Sequence, residues 1–249
     1  YEGALLEDLE WLGFIPDLVA PRQSGSGDAY ERALEQLARE HEVYACECSR
    51  KTMAAEGGDP FGAETRYAGR CRHLGLMPGN GRGTRLVLGP GVECFDDALL
   101  GVQEQEPDRQ CGDLLVRDRL GQWTYQFAVT VDDLRQGVNL VIRGEDLFPS
   151  TPRHIHVFRA LGRETPPAFA HLPLIVGADR RKLSKRRDKL SVQQYRDDGY
   201  LPEALVNYLA LLGWSLDDHT ELFTLADLEQ VFSLERVSRN PAAFDIKKL

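Results

Sequence analysis

Three cysteines and a histidine in the first third of the sequence have the spacing of a metal site. Cys46 and Cys48 are separated by one residue, and Cys71 and His73 form a second pair further along the chain. Thiolate and imidazole are preferred ligands of zinc, and two such pairs can close a tetrahedron around the ion. Tyr67, one turn before Cys71, is the other candidate for the fourth ligand. Four protein ligands leave no position for a reactant, so the spacing predicts a structural zinc site, with unrelated thiols as the alternative.

A basic segment later in the chain has the residue types that bind phosphate. From Arg180 to Lys189, seven side chains are Lys or Arg, and Asp188 is the only acid. Within it, Lys-Leu-Ser-Lys-Arg at 182–186 places two lysines three positions apart. Two such ammonium groups can hold the phosphates of a nucleotide and stabilise charge on a departing pyrophosphate. A solvated loop is the alternative for a charge run of this kind.

A third group of residues could bind a carboxylate. Arg-Gly-Glu-Asp at 143–146 follows an apolar segment, and Tyr125 lies on another apolar segment just before Asp132 and Asp133. The planar guanidinium of Arg143 can hold a substrate carboxylate through two parallel hydrogen bonds, while a tyrosine hydroxyl fixes a second polar group. An arginine that is merely ion-paired at a strand end is the alternative.

Hydrophobic periodicity predicts the helices that position these side chains. The predicted helices cover 1–13, 28–40, 150–161, 202–212 and one or two short segments within 224–249. The first helix is expected to pack through one apolar face, which consists of Leu5, Leu6, Leu9 and Leu12. The third is expected to begin at Ser150, whose hydroxyl would cap it, with Pro152 in its first turn.

Short strands complete the expected α/β organisation. They are predicted at 84–88, 113–117, 123–131 and 138–142, with the last two apolar enough to be buried. The strand ending at 142, the charged loop and the following helix form a crossover unit, and ligands of such sheets bind beyond the carboxyl ends of the strands. Residues 50–92 are rich in Gly and poor in periodicity, which predicts an inserted module that a metal would stabilise.

The composition narrows the classes of function. The 249 residues are 42% hydrophobic and 28% charged, as in ordinary soluble globular proteins. No apolar run approaches the ~20 residues of a spanning helix, so no membrane role is expected. The net charge of −9 excludes a protein whose whole surface coats nucleic acid. Five cysteines, an odd number, fit a reducing compartment better than a disulfide framework.

The order of the motifs resembles the glutamyl-tRNA synthetase family, over essentially the entire chain. The motifs stand at 44–49, 66–73, 125–133, 141–146, 150–155, 171–175 and 182–186. The resemblance implies an α/β, Rossmann-type class I synthetase catalytic domain with a zinc-bearing connective insertion and a C-terminal helical stem-contact region. The implied divisions are 1–43 and 111–190 for the two parts of the catalytic domain, 44–110 for the insertion and 191–249 for the stem-contact region.

The resemblance also implies a reaction and its residues. ATP with Mg²⁺ would activate glutamate, and the glutamyl group would then pass to the acceptor end of a tRNA. Lys182 and Lys185 match the catalytic lysines of the family's Lys-Met-Ser-Lys-Ser-type signature. ATP would be bound by Asp146, Lys182, Ser184 and Lys185, and glutamate by Tyr125, Arg143 and Leu147. The expected metal ligands are Cys46, Cys48, Tyr67 and Cys71, with His73 as the alternative fourth ligand. The protein is expected to be a cytoplasmic monomer.

The sequence departs from the family in one respect. The other family signature, of the His-Ile-Gly-His type, belongs before the helix at 1–13, and nothing in the sequence matches it. We therefore expect either a fragment, which is the favoured interpretation, or a degenerate paralogue. In either case these residues alone would not catalyse adenylation. The last residues, 244–249, resemble the segment that precedes an anticodon-binding domain.

Two other functions compete with this interpretation. The shorter glutamyl-Q-tRNA(Asp) synthetases, which glutamylate queuosine in a tRNA anticodon, share Tyr67-x-x-x-Cys71, Tyr125-Gln126 and the segment 135–138. Residues 191–249 favour the full enzyme, because they resemble its stem-contact region. A non-catalytic, zinc-stabilised RNA-binding paralogue is the second alternative, but such a protein would not need both Arg143 and the paired lysines.

Overall fold

The computed structural model describes residues 2–55, 66–177, 179–181, 183 and 191–249. The strands are β1 Val43–Cys46, β2 Gly83–Leu86, β3 Glu93–Asp97, β4 Gly101–Gln105, β5 Leu114–Arg117, β6 Leu140–Gly144 and β7 Ala168–Leu172. The helices are α1 Glu2–Trp11, α2 Gly27–Glu40, α3 Arg50–Ala55, α4 Pro107–Gln110, α5 Tyr125–Gln136, α6 Thr151–Ala160, α7 Val192–Asp197, α8 Pro202–Leu211 and α9 Leu225–Val231. None of the helices in these described ranges has both the length and the apolar composition needed to cross a bilayer.

Two small sheets organise the strands. One is antiparallel, in the order β1-β2-β5, and the other has the order β4-β3-β7-β6. In the second sheet β6 and β7 are parallel neighbours, and β7 is also parallel to β3, whereas β4 returns antiparallel to β3. The carboxyl ends of β3, β7 and β6 therefore lie at the same edge of the sheet, which is where ligands bind in α/β folds.

The connection from β6 to β7 is the predicted crossover unit. After β6, the chain forms a 3₁₀ helix, Glu145–Ser150, and then α6, which has Pro152 near its start. The buried face of α6 includes Ile155, Val157 and Phe158. Gly162 has a φ of 89°, so the helix is followed by a residue in the left-handed region, where glycine carries no Cβ penalty. The apolar spacing of this segment thus determines both the helix and the face that it packs.

A central apolar cluster joins the antiparallel sheet to the helices. It includes Leu37 of α2, Leu86 of β2, Leu114 of β5, Phe127 of α5 and Val157 of α6, all nearly inaccessible to solvent. Burying a side chain of this size stabilises the fold by about 1.5–3 kcal/mol. The predicted helix at 28–40 and the predicted strands at 84–88, 113–117 and 138–142 are confirmed, since α2, β2, β5 and β6 occupy those positions.

The strand predicted at 123–131 is wrong, because the chain forms α5 there. The β-branched residues in this segment favour a strand only weakly, whereas Phe127, Val131 and Leu134 recur at helical spacing and pack into the core. Gly137 ends the helix in the left-handed conformation, with a φ of 68°. As a consequence, Tyr125 lies in the first turn of a helix and is 49% exposed rather than buried on a strand.

Two further details differ from the sequence interpretation. The helix at the start of the chain is present as α1, but it contains no buried residue, and of its predicted apolar face only Leu12, just beyond its end, is buried. Ser150 does not cap α6 with its hydroxyl. Its own backbone is helical, since it closes the preceding 3₁₀ helix, so the hydroxyl instead accepts hydrogen bonds from Gln126 (2.8 Å) and Arg153 (3.2 Å).

A second apolar cluster forms the helical end of the chain. It is built by Tyr195, Leu205, Trp214 and Leu228, and Leu12 packs against the same group. The end of α1 is thereby attached to the helical segment. The predicted helix at 202–212 is confirmed as α8, and the short helix expected within 224–249 is confirmed as α9. A capping box starts α9, because the Thr224 side chain and the residue three positions later bond reciprocally to each other's backbone.

Candidate active site and metal centre

Arg143 lies at the carboxyl end of β6, directly opposite His171 of β7. Its guanidinium bonds to three uncharged side chains. Nε–H donates to His171 Nε2 at 3.1 Å, one terminal nitrogen lies 3.0 Å from His154 Nδ1, and the other donates to Thr151 Oγ1 at 2.8 Å. None of the Asp and Glu residues in the described part of the chain forms an ion pair with Arg143. A half-buried guanidinium that none of these carboxylates pairs with is suited to an anionic ligand.

Tyr125 and Asp133, both on α5, act electrostatically on Arg143. Burial lowers the pKa of Arg143, while the Tyr125 hydroxyl and the Asp133 carboxylate favour its charged form. The Tyr125 ring also lies 6.4 Å from the His154 ring. The structure therefore brings together Tyr125 and Arg143, the two residues expected to contact the same substrate. Burial raises the pKa of Asp133 to about 6, an effect that buried Asp132 increases and Arg143 opposes.

Asp146 and Leu147 lie on the 3₁₀ helix that follows Arg143. Asp146 is exposed and Leu147 is half-buried. A Cβ placed on Gly144 would come 2.7 Å from a carboxylate oxygen of Asp146, so this side chain folds back over the end of β6. Only glycine at 144 leaves room for that position. Lys182, Ser184 and Lys185 of the basic segment, expected to bind ATP, lie outside the described residues.

Cys46, Cys48 and Cys71 converge into one group. Their sulfur atoms all lie within 4.8 Å of one another, and Cys48 Sγ is 3.5 Å from Cys71 Sγ. The Tyr67 hydroxyl is 3.6 Å from Cys46 Sγ and accepts a hydrogen bond of 2.8 Å from the Cys71 backbone N–H. His73 is exposed and does not belong to the group. The arrangement offers three sulfurs and one phenol oxygen at distances that a tetrahedral metal can span.

A buried arginine, Arg85, lies against the cysteine cluster. The Arg85 guanidinium donates to Cys46 Sγ at 3.3 Å, and its carbon lies 3.7 Å from the centre of the Tyr67 ring. Burial would raise the pKa of Cys46, but hydrogen bonds with Arg85 and Tyr67 lower it overall. Burial together with the contact to Cys71 raises the pKa of Cys48 to about 12. A bound cation would favour deprotonation of such a thiol, since thiolate is the ligand form of cysteine.

Comparison with known sequences identifies the family of this chain. The family described as tRNA synthetases class I (E and Q), catalytic domain, matches residues 1–249.

The chain belongs to that family. It is 40% identical over its whole length to a glutamate–tRNA ligase of Frankia casuarinae, of which it covers 53%, and 40% identical to one of Carboxydothermus hydrogenoformans, of which it covers 55%. A solved glutamate–tRNA ligase from Elizabethkingia meningosepticum, in complex with its amino acid, superposes with a TM-score of 0.83 at 28% identity, with 99% of this chain and 57% of that chain covered. The class I synthetase chain thus spans about half the length of the curated relatives that it matches.

The family assignment confirms the resemblance that the motif order indicated. It also confirms the coarse fold class, a class I synthetase catalytic domain with α/β content and mixed sheets. The division at residue 110 stays a prediction, and one feature bears on it. β3 and β4 belong to the segment expected to be inserted, yet β3 pairs with β7 of the crossover unit, with Asp97 opposite Phe169.

Several residues around Arg143 and around the cysteine cluster were not assigned roles from the sequence. Thr151, His154 and His171 contact Arg143 and belong to motifs of the resemblance, so their motif membership was the available signal. Asp97 and Arg85 belong to none of these motifs. Each is a charged residue of a short strand, and only the tertiary fold reveals that Asp97 is 1% and Arg85 4% exposed.

Proposed function

We propose that this protein is a glutamate–tRNA ligase, which activates glutamate with ATP and transfers the glutamyl group to tRNA. The relatives support this assignment, because those that are 35–41% identical over nearly the whole chain are glutamate–tRNA ligases. The observation that carries the proposal is the position of Arg143, a guanidinium at the carboxyl end of a parallel strand whose hydrogen bonds to other described side chains go to neutral groups.

In this proposal Arg143 holds the side-chain carboxylate of glutamate. Three of its five N–H groups bond to His171, His154 and Thr151, and the guanidinium also hydrogen-bonds to the Tyr125 hydroxyl. The terminal N–H groups not bonded to His154 and Thr151 would hold the carboxylate, with the Tyr125 hydroxyl beside them. The exposed Tyr125 hydroxyl stands beside the guanidinium and would bind a second polar group of the amino acid. Leu147, half-buried on the neighbouring 3₁₀ helix, would contact the methylene groups. A neutral glutamine side chain lacks the charge that this site is built to balance.

Holding the side-chain carboxylate leaves the α-carboxylate free to react. One of its oxygens would attack the α-phosphorus of ATP, and the bond from that phosphorus to pyrophosphate would break. Lys182 and Lys185 would stabilise the charge on the departing pyrophosphate, with Ser184 and Asp146 binding the nucleotide and Mg²⁺ accompanying the phosphates. A ribose hydroxyl at the end of the tRNA would then attack the acyl carbon and release AMP.

A structural zinc ion is the second part of the proposal. Cys46, Cys48, Cys71 and Tyr67 would hold it, and the proximity of the three sulfurs to each other and to the phenol oxygen supports this set over one that includes exposed His73. All four ligands come from the protein, so the ion would take no part in the reaction. It would hold β1 to the turn at residue 71, a region with little apolar core of its own.

The remaining parts of the proposal concern tRNA and the cell. We assign 44–110 as the connective insertion and 191–249 as the helical region that contacts the tRNA stem. The helical region has its own apolar cluster, which gives it the rigidity that a docking surface requires. A monomer in the cytoplasm, with tRNA and glutamate as partners, is the state in which we propose that the protein acts.

Glutamate-dependent exchange of pyrophosphate into ATP, measured with tRNA present, tests the assignment. Joined to a segment that carries the His-Ile-Gly-His-type signature, these residues should catalyse exchange with glutamate and not with glutamine. Arg143→Lys keeps the charge but loses the planar fork, so the KM for glutamate should rise about 10- to 100-fold. Exposed Arg39 of α2 provides the matched control, and Arg39→Lys should leave the KM unchanged. Equal KM values for all three proteins would refute the role of Arg143, and exchange that ignores the amino acid would refute the function.

A further inference from the structure

Asp97, His171 and Arg143 form a row across three neighbouring parallel strands. β3 ends at Asp97, β7 carries His171, and β6 carries Arg143 opposite His171. The side chains of Asp97 and His171 are completely inaccessible to solvent. Neither can contact a substrate directly, so any role in the reaction must be exerted through a neighbour, and His171 contacts Arg143 and Thr151.

The hydrogen bonds of Asp97 determine where the proton of His171 resides. Asp97 Oδ1 accepts from the backbone N–H groups of Leu99 and Leu100 at 3.0 Å and of His171 at 3.3 Å. Asp97 Oδ2 lies 2.5 Å from His171 Nδ1. A carboxylate that receives this many donors is stabilised in its ionised form, so Nδ1 must carry the hydrogen of this contact. Nε2 of the neutral ring then presents a lone pair.

Arg143 needs that lone pair. Its Nε–H can only donate, and it points at His171 Nε2 across 3.1 Å. The Thr151 hydroxyl fits the same assignment, because it accepts from Arg143 and can share the Nε2 lone pair as a second donor at 3.0 Å. If the ring carried its hydrogen on Nε2, that N–H would face the Nε–H of Arg143, and neither donor would have an acceptor at this contact.

We propose that Asp97 and His171 are positioning residues that fix the plane of the Arg143 guanidinium and aim its terminal N–H groups at the substrate carboxylate. Asp97 sets the tautomer of His171, His171 fixes Nε of Arg143, and Thr151 and His154 fix the terminal nitrogens. The inference rests on the proposed function for its substrate, since it takes glutamate as the source of that carboxylate. The arrangement itself can be tested without any substrate.

Two substitutions of His171 separate positioning from general support of the fold. The amide of His171→Asn can replace Nδ1 as the donor to Asp97 but has nothing at the position of Nε2. His171→Gln reaches the position of Nε2 with an oxygen acceptor and abandons Asp97, whose Oδ1 keeps its backbone donors. The third variant, Asp97→Asn, keeps the shape of the side chain but favours the wrong tautomer of the ring.

The KM for glutamate in pyrophosphate exchange should rise about tenfold in His171→Asn and Asp97→Asn, corresponding to one lost hydrogen bond to a charged group, with kcat changed less. His171→Gln should stay within about threefold of the parent protein, although it lacks the contact with Asp97. A purely structural role predicts that His171→Gln, in which Asp97 loses its partner, is the most harmful variant. Its thermal stability would then fall most, and the KM of the folded protein would not change in any variant. That pattern, or equal KM values in all variants, would overturn the proposal.

Nitrogen NMR of the parent protein gives a test that needs no glutamate. The His171 ring should carry its hydrogen on Nδ1, and the Arg143 Nε–H resonance should exchange slowly with solvent and lose its protection in His171→Asn. A ring hydrogen on Nε2, or an unprotected Arg143 Nε–H, would overturn the positioning role. If the resonances agree but the protein shows no glutamate-dependent exchange, the proposed function fails while the hydrogen-bonded row stands.

Discussion

Replacing Asp133 by asparagine should stabilise this protein at neutral and alkaline pH. Asp133 is half-buried on α5, and its pKa is raised from 3.8 to about 6, mainly by burial. At 1.36 kcal/mol per pKa unit, a rise of about two units means that ionisation costs the folded state about 3 kcal/mol relative to the unfolded chain. Partial access to solvent reduces the net effect to roughly 1–2 kcal/mol.

The sign of the pH dependence follows from the direction of this shift. The folded protein binds the Asp133 proton more tightly than the unfolded chain does, so the ionised carboxylate destabilises the fold above about pH 6. As the pH falls from about 6 towards the unfolded value of 3.8, the wild type regains that stability. Asp133→Asn is therefore expected to be more stable at about pH 8 and nearly equal to the wild type at about pH 4.

Urea unfolding at both pH values measures this difference in the free energy of unfolding. Exposed Asp17 supplies the matched control, since Asp17→Asn removes a carboxylate from a solvated position and should change neither value. The stabilising effect of Asp133→Asn would also identify a charge that the fold retains at a cost, as expected beside a substrate-binding guanidinium. Equal or lower stability of Asp133→Asn at pH 8 would refute the reasoning.

Three other predictions concern the metal centre and the basic segment. Cys46→Ser should lose bound zinc, which metal analysis would detect, and an unchanged zinc content would remove Cys46 from the ligand set. Arg85→Met should weaken zinc binding about 10- to 100-fold in competition with a chelator, because it removes the cation from the Cys46 sulfur. The control Arg82→Met should not weaken it, since half-buried Arg82 donates to the backbone carbonyl of Met77. Lys185→Ala should raise the activation barrier of pyrophosphate exchange by about 3 kcal/mol, and unchanged turnover would contradict its assigned role.

The parts of the fold that depend on local pattern could be predicted from the sequence. α2 follows from apolar residues at helical spacing, and β6, the loop and α6 follow from a strand, charged residues and a Thr-Pro start. The cluster of Cys46, Cys48 and Cys71 could also be predicted, because these cysteines occur together in or beside a Gly-rich module. In these cases the residues that determine the structure lie within one short stretch of the chain.

The other features depend on partners that are distant in the sequence. α5 has three consecutive β-branched residues, 129–131, and its packing through Phe127 and Val131 decides in favour of a helix. Asp97 becomes significant because β7 brings His171 to it, and Arg85 because β1 brings Cys46 to it. An isolated buried charge in a strand has no sequence pattern of its own, so residues of this kind are recognised only when their partners are known.

The most direct test of the central claim is a titration of the protein with glutamate while the terminal N–H resonances of Arg143 are followed by NMR. The claim is that this guanidinium holds the side-chain carboxylate of the substrate. Saturable shifts and slower solvent exchange of one N–H on each terminal nitrogen, produced by glutamate and not by glutamine, are the predicted result. Glutamate binding that leaves these resonances unmoved, or the same response to glutamine, would contradict the account.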